Sequence, residues 1–236
     1  MRIVGLTLTF AVVLLVTMIA GWPMRAALGA AGVDRLGLSA REVTGTLWSG
    51  RLSDARLGDI SLGDVEARLA FWPMLAGETR LSLEASDGPF AVELVRAQDR
   101  AGVRGLDIQV PLATFGLPGQ AGGTATLTQS DILFVDGRCA QASGRVRIDG
   151  LAGPGWTAPA LDGALACHDG LLLARMNGAD ERFALAADLR VRSSGAWTLT
   201  LLAQPRDPLL APLMEAQGFA PGPEGLTYEA RGSLNR

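Results

Sequence analysis

The sequence predicts a mainly β protein: an N-terminal transmembrane helix followed by a curled antiparallel β-sheet, half-barrel or groove-like, with one or two short helices. Two observations carry this expectation. The chain opens with an apolar run, Ile3 to Met24, that contains no charged residue. Beyond residue 40, apolar and polar residues alternate with period two, and glycine-containing breaks recur about every ten residues; that is the pattern of strands with one covered and one wet face.

The opening run has the length of a membrane span, since about 20 apolar residues cross a bilayer as a helix. A helix satisfies its own backbone in lipid. Trp22 and Pro23 stand where an interfacial aromatic and a helix stop belong. The competing readings are a cleaved signal peptide, with small residues around Ala27-Leu28-Gly29, and a buried core helix. The run exceeds the usual signal-peptide core and only Arg2 precedes it, which favours an uncleaved anchor. The organisation expected is an anchor over 1–24, a linker or short helix over 25–40 and a β-rich domain over 41–236. Arg2 lies before the span while Arg25, Arg35 and Arg41 follow it, so positive charge alone leaves the orientation ambiguous.

Strand patterns run through Ile60 to Leu62, Val65 to Leu69, Leu81 to Ala85, Phe90 to Leu94 and Leu106 to Val110. They continue at Thr124 to Thr128, Asp131 to Val135, Arg145 to Ile148, Phe183 to Val191 and Trp197 to Leu201. Ser86-Asp87-Gly88-Pro89, Asp136-Gly137 and Ser193-Ser194-Gly195 are hairpin punctuation. Such short spacing predicts an antiparallel meander, because parallel βαβ units need long crossovers. Pro111 to Phe115 reads as one helical turn. Asp207 to Gln217 reads as a short helix with Asp207 at the N-cap, Pro208 at the first position and Gly218 past the end. Its apolar residues are expected to close one end of the sheet. Gly150 to Pro159 reads as a long turn between two halves, and Gly116 to Gly123 as a loop.

The chain has 236 residues, a net charge of −3 and no lysine, with a pI near 5.2. Its arginines are scattered, so no basic face for nucleic acid is expected. Cys139 and Cys167 are an even pair in an exported domain and read as a disulfide, which would place that domain in the oxidising periplasm. The alternative is two buried free thiols. With His168 as the sole histidine, the chain lacks the four Cys/His ligands of a structural zinc site. It has no Gly-x-Ser-x-Gly elbow and no Walker-type loop. Acidic pairs such as Asp180-Glu181 fall in turns, as solvated charge. No catalytic residue, cofactor or metal is expected. Trp48, Trp72, Trp156 and Trp197 are expected to pack in the core.

Gly45-Thr46-Leu47-Trp48-Ser49-Gly50 reads as a strand with glycine punctuation and a large apolar anchor. It also resembles the early motif of the type II secretion system protein N family. Leu69-Ala70-Phe71-Trp72-Pro73 resembles that family's next aromatic strand. The segments around Cys139 (Gly137 to Gly144) and Cys167 (Leu161 to Gly170) resemble those around its two cysteines. Tyr228 to Leu234, with Gly232, resembles its closing strand. The resemblance spans nearly the whole chain and implies an accessory inner-membrane protein of the export of folded proteins across the outer membrane. It implies a single pass with the C-terminal domain in the periplasm. The implied partners are the inner-membrane platform or the outer-membrane secretin components, with membrane lipid around the anchor. It implies no enzymatic activity. A looser resemblance, to anchored AsmA-like envelope proteins, implies instead a β-groove that shelters lipid or another apolar ligand.

Overall fold

A computed structural model describes residues 38–46, 48–57, 60–88, 90–115 and 122–233, together with Phe10, Leu14, Thr17, Gly21, Pro23 and Met24. The anchor expected over 1–24 lies, those six residues aside, outside the described residues. So do 25–37, Leu47, 116–121 and Leu234. Among the described residues no helix is long and apolar enough to cross a membrane. The chain divides into two compact units, Met1–Gly88 and Pro89–Arg236. Both are mainly β and antiparallel, as the period-two pattern requires.

In the first unit, β1 (Leu38–Ser39) and β2 (Glu42–Thr46) both pair with β3 (Ser49–Leu57). Strand β3 pairs with β4 (Ile60–Leu69), and β4 with β5 (Thr79–Ala85). Helix α1 (Phe71–Leu75) lies in the connection from β4 to β5. Leu52, Ala55, Val65, Ala67 and Leu83 form the buried face; Val65 and Ala67 alternate as the sequence marks, whereas Leu52 and Ala55 stand three apart across an irregularity in the β3–β4 ladder.

The glycines of the Gly45–Gly50 motif have steric reasons. Gly45 has φ +92° beside the β2–β3 turn, and a Cβ there would strike the Ser49 carbonyl. A Cβ at Gly50 would strike the sulfur of Met24 and the Thr44 carbonyl. Met24 is itself buried, and Pro23 forms an isolated bridge with Thr46. The end of the apolar run is thus stitched to the start of the sheet, over a position that tolerates only hydrogen. Gly50→Val is expected to displace Met24, with overpacking costing roughly 1–3 kcal/mol. Methionine oxidation by dilute peroxide, read by peptide mass spectrometry, checks this: Met24 should be protected in the parent chain and oxidised in the variant.

The second unit is a meander of long strands. It comprises β6 (Ala91–Arg96), β7 (Arg100–Pro111), β8 (Gly122–Val135), β9 (Arg138–Gly153), β10 (Trp156–Thr157) and β11 (Leu161–His168). There follow β12 (Leu171–Ala179), β13 (Phe183–Val191), β14 (Ala196–Pro205), helix α2 (Leu210–Glu215), β15 (Ala220–Gly222) and β16 (Gly225–Ser233). The order across the sheet is β6-β7-β8-β9-β11-β12-β13-β14-β16-β15, with β10 folded back on β9. Asp136 and Gly137, with φ +48° and +72°, make the β8–β9 turn; two positive φ values match the right-handed twist of a hairpin. Leu112–Phe115 is the expected helical turn, of the 3₁₀ type.

Four expectations are corrected. Thr124 to Thr128 and Asp131 to Val135 belong to one strand, β8, interrupted by a bulge at which Gln129 has φ +47°. The inserted residue shifts the alternation by one, so the pattern reads as two strands. Gly150 to Pro159 is no long turn: β9 runs to Gly153, and Trp156–Thr157 doubles back onto Ala152 and Gly153. Helix α2 starts at Leu210 rather than after Asp207, whose carboxylate instead accepts from the Leu209 amide in the preceding turn. Its C-terminal end matches the expected glycine stop. The Gly218 amide donates to the Glu215 carbonyl and the Phe219 amide to that of Met214, the paired bonds of a glycine-terminated helix.

The fourth correction concerns the tryptophans. Trp156 is buried, whereas Trp48 and Trp197 are only partly covered. Trp72 is 79% exposed. The Ala70 amide donates to the Arg80 carbonyl and draws β4 and β5 together at their ends. The five residues of α1 therefore project past the sheet, and none of them is buried.

Candidate functional site

The apolar positions of the second unit fall in register across its sheet. Leu127 on β8 faces Val146, which faces Gly163, which faces Met176. Met176 faces Ala187, then Leu201, then Tyr228. A parallel row runs Leu165, Ala174, Leu189 and Leu199. A third runs Leu172, Val191 and Trp197. Side chains opposed across a ladder stand within contact of one another, so these rows fuse into one apolar face.

That face is only partly filled. It bounds an open trough of about 330 Å³ whose walls are almost wholly hydrocarbon. Helix α2 closes one end, with Leu210 and Met214 fully buried against the sheet, as its sequence predicts. Trp156 completes the closure. Its ring meets Phe183 edge-on at 6.1 Å and Phe219 at 6.3 Å. Its indole N–H donates to Gln217 Oε1 at 2.8 Å, and Gln217 Nε2 donates to the Pro154 carbonyl at 2.8 Å. The side-chain amide that reaches the trough is thereby satisfied at both ends, as a polar group in apolar surroundings must be.

The opposite face is polar. Arg147 bonds both Asp149 and Asp162, the latter across the strand pair. Arg175 pairs with Asp188 at 3.4 Å. These exposed pairs contribute little stability, but they keep that face wet and leave the other as the candidate for an apolar ligand.

Several motif residues support this frame. Cys139 and Cys167 are disulfide-bonded, with Cα atoms 5.5 Å apart. The β9–β11 ladder ends at the Ala164–Arg145 pair. Beyond it, the disulfide and the bond from the Cys139 amide to the Gly170 carbonyl hold β9 to the β11–β12 hairpin. Gly144 has φ +129°, and a Cβ there would strike Ser130, the buried hydroxyl residue at the β8 bulge. A Cβ at Gly232 would penetrate the Trp197 indole, so that glycine makes the floor on which the ring lies. Tyr228 lines the trough beside Phe219, ring centroids 5.2 Å apart, and burial pushes its phenol above the ordinary value. Gly45, Thr46, Trp48, Gly50, Trp72 and Pro73 lie in the first unit, and the trough lies wholly in the second. The alternating strands predict a groove-like sheet, but not which residues line this trough. The signal was available in the match of apolar phase between successive hairpins.

Among the described residues no three His, Cys, Asp or Glu side chains stand close enough to hold a metal. His168 lies beside Asp169 at 3.4 Å, and both side chains are well exposed. Asp180 sits in the β12–β13 turn, where its carboxylate accepts from the Phe183 and Arg182 amides. Those bonds, the Phe183 amide first, hold its pKa below the ordinary 3.8. A depressed carboxylate stabilises the fold fully above the ordinary value, and that contribution is lost as pH falls through the folded pKa. Asp180→Asn is therefore expected to melt below the parent chain at pH 7, with the gap closing in acid. A gap independent of pH would refute this assignment.

In the comparison with protein families, the model described as type II secretion system, protein N, matches residues 36–228. No curated protein and no solved structure matches the chain.

Proposed function

The chain belongs to the type II secretion system protein N family, and from that premise we propose that it is a non-catalytic, inner-membrane-anchored component of the secretion machine. Its β-rich part stands in the periplasm and acts by binding other secretion components of the inner-membrane platform or the secretin. The match over 36–228 carries this reading. Two features support the placement. Phe10 and Leu14, both on helical backbone within the apolar run, are 70% and 49% exposed, which suits side chains facing lipid. The Cys139–Cys167 disulfide suits an oxidising compartment. Deleting the gene is expected to leave the machine's exported enzymes trapped in the periplasm. Undiminished secretion with the rest of the machine active would refute the role.

The trough favours a second reading, that of an envelope protein holding a lipid or another apolar ligand. A concave site walled by hydrocarbon, with its polar atoms already satisfied, selects for acyl chains rather than for polar solutes. Native mass spectrometry of the full chain released from the membrane tests it. Co-purifying lipid that is lost on Leu189→Glu would support this reading, and an empty trough would dispose of it.

A further inference from the structure

One end of the first unit's sheet gathers apolar groups that the sheet does not cover. The turn after β2 carries Trp48. Since Gly50 on β3 opposes Ala67 on β4, the start of β3 and the end of β4 lie at the same end of the sheet. There Trp48 meets Phe71 edge-on, ring centroids 5.3 Å apart, and Phe71 meets Trp72 at 5.7 Å. Beyond them Trp72 is 79% and Leu75 68% exposed, with Phe71 and Met74 above 40%. Helix α1 thus offers solvent two aromatics, a methionine and a leucine, with no charge among its five residues.

The same end of the sheet receives the apolar N-terminal run. Pro23 bridges Thr46, two residues before Trp48, and Met24 is buried against Gly50. A chain leaving a bilayer at residue 24 therefore meets the sheet where Trp48 and α1 project. Exposed aromatic and aliphatic side chains clustered beside the exit of a membrane segment have the composition of an interfacial contact, because indole rings prefer the headgroup boundary. A contiguous apolar patch of this kind, left to water, is otherwise unfavourable.

We propose that Trp48 and α1 form a second membrane contact: a foot seated at the headgroup–acyl boundary of the bilayer that residues 3–24 enter, holding the first unit against the membrane surface. This rests on the anchor reading above and adds to it a defined depth for α1. Its chemistry is that of a phospholipid interface rather than of a protein groove, since the patch adjoins the end of the apolar run itself.

The test uses the full chain in vesicles of phosphatidylethanolamine and phosphatidylglycerol. With both native cysteines in the disulfide, Leu75→Cys accepts an environment-sensitive fluorophore selectively, and Asp87→Cys provides an exposed control in the same unit. The Leu75 probe is expected to shift to the blue, to lose most of its emission to nitroxide-bearing lipid and to resist aqueous iodide. The Asp87 probe should do the reverse. A chain that resists alkaline extraction while its Leu75 probe is quenched by iodide would overturn the foot and leave the anchor standing. A chain extracted by alkali, with identical Leu75 emission with and without vesicles, would remove the anchor and the foot together. A Leu75 probe that is wet on vesicles but dry in membranes containing the whole secretion machine would assign the patch to a protein partner and overturn the proposal.

Discussion

Phe183→Ala is expected to destabilise the chain by roughly 3–5 kcal/mol, the range for removing a buried aromatic ring from a core that cannot collapse around the void. Phe183 is 0% exposed. It opens β13, faces Pro205 across the ladder to β14 and takes the edge of Trp156. Leu185, Leu210 and Met214 share its buried cluster. A domain has only about 5–15 kcal/mol of net stability, so this one change removes a large share of it. The urea midpoint of the full chain in detergent should fall with little change in slope, because the surface exposed on unfolding is nearly the same. Trp72→Ala is the matched control. Its ring is also large and apolar, but it is exposed, and its loss should move stability by no more than about 0.5 kcal/mol. Equal effects at the two positions would contradict the burial described here.

Breaking the disulfide should cost somewhat less, roughly 3 kcal/mol for the loop it closes. The stretch from Cys139 to Cys167, a separation of 28, holds most of β9, all of β10 and nearly all of β11. Cross-linking that stretch removes open conformations from the unfolded chain. In the folded chain it fastens a part of β9 that no longer pairs with β11. Replacing both cysteines by serine is expected to lower the melting temperature by about 6–12 °C, at 2–4 °C per kcal/mol for a chain of this size. Dithiothreitol should lower the parent by a similar amount and leave the double variant unchanged. A parent chain indifferent to reductant would show that the bond contributes nothing to stability.

The sequence by itself determined the alternating strand pattern, several of the turns and the cysteine pair. Side-chain alternation and glycine placement are local properties, read within a few residues. Asp136-Gly137 is a hairpin turn whatever surrounds it, because φ values above zero at both positions suit Asp and Gly. Gly45 is local in the same way, since a Cβ there would meet Ser49, whereas Gly50 and Gly232 are needed because Met24 and Trp197 pack on them from elsewhere in the chain. Only the tertiary structure decided which apolar residues are covered. Trp72 and Trp156 each stand in an apolar or small-residue stretch, yet one projects past a sheet end and the other plugs a trough. The bulge in β8 belongs to the same class, since one extra residue reverses the faces of all that follows. Burial is a property of several chain segments meeting at one place. The register between hairpins fixes that meeting, and no single stretch of sequence contains it.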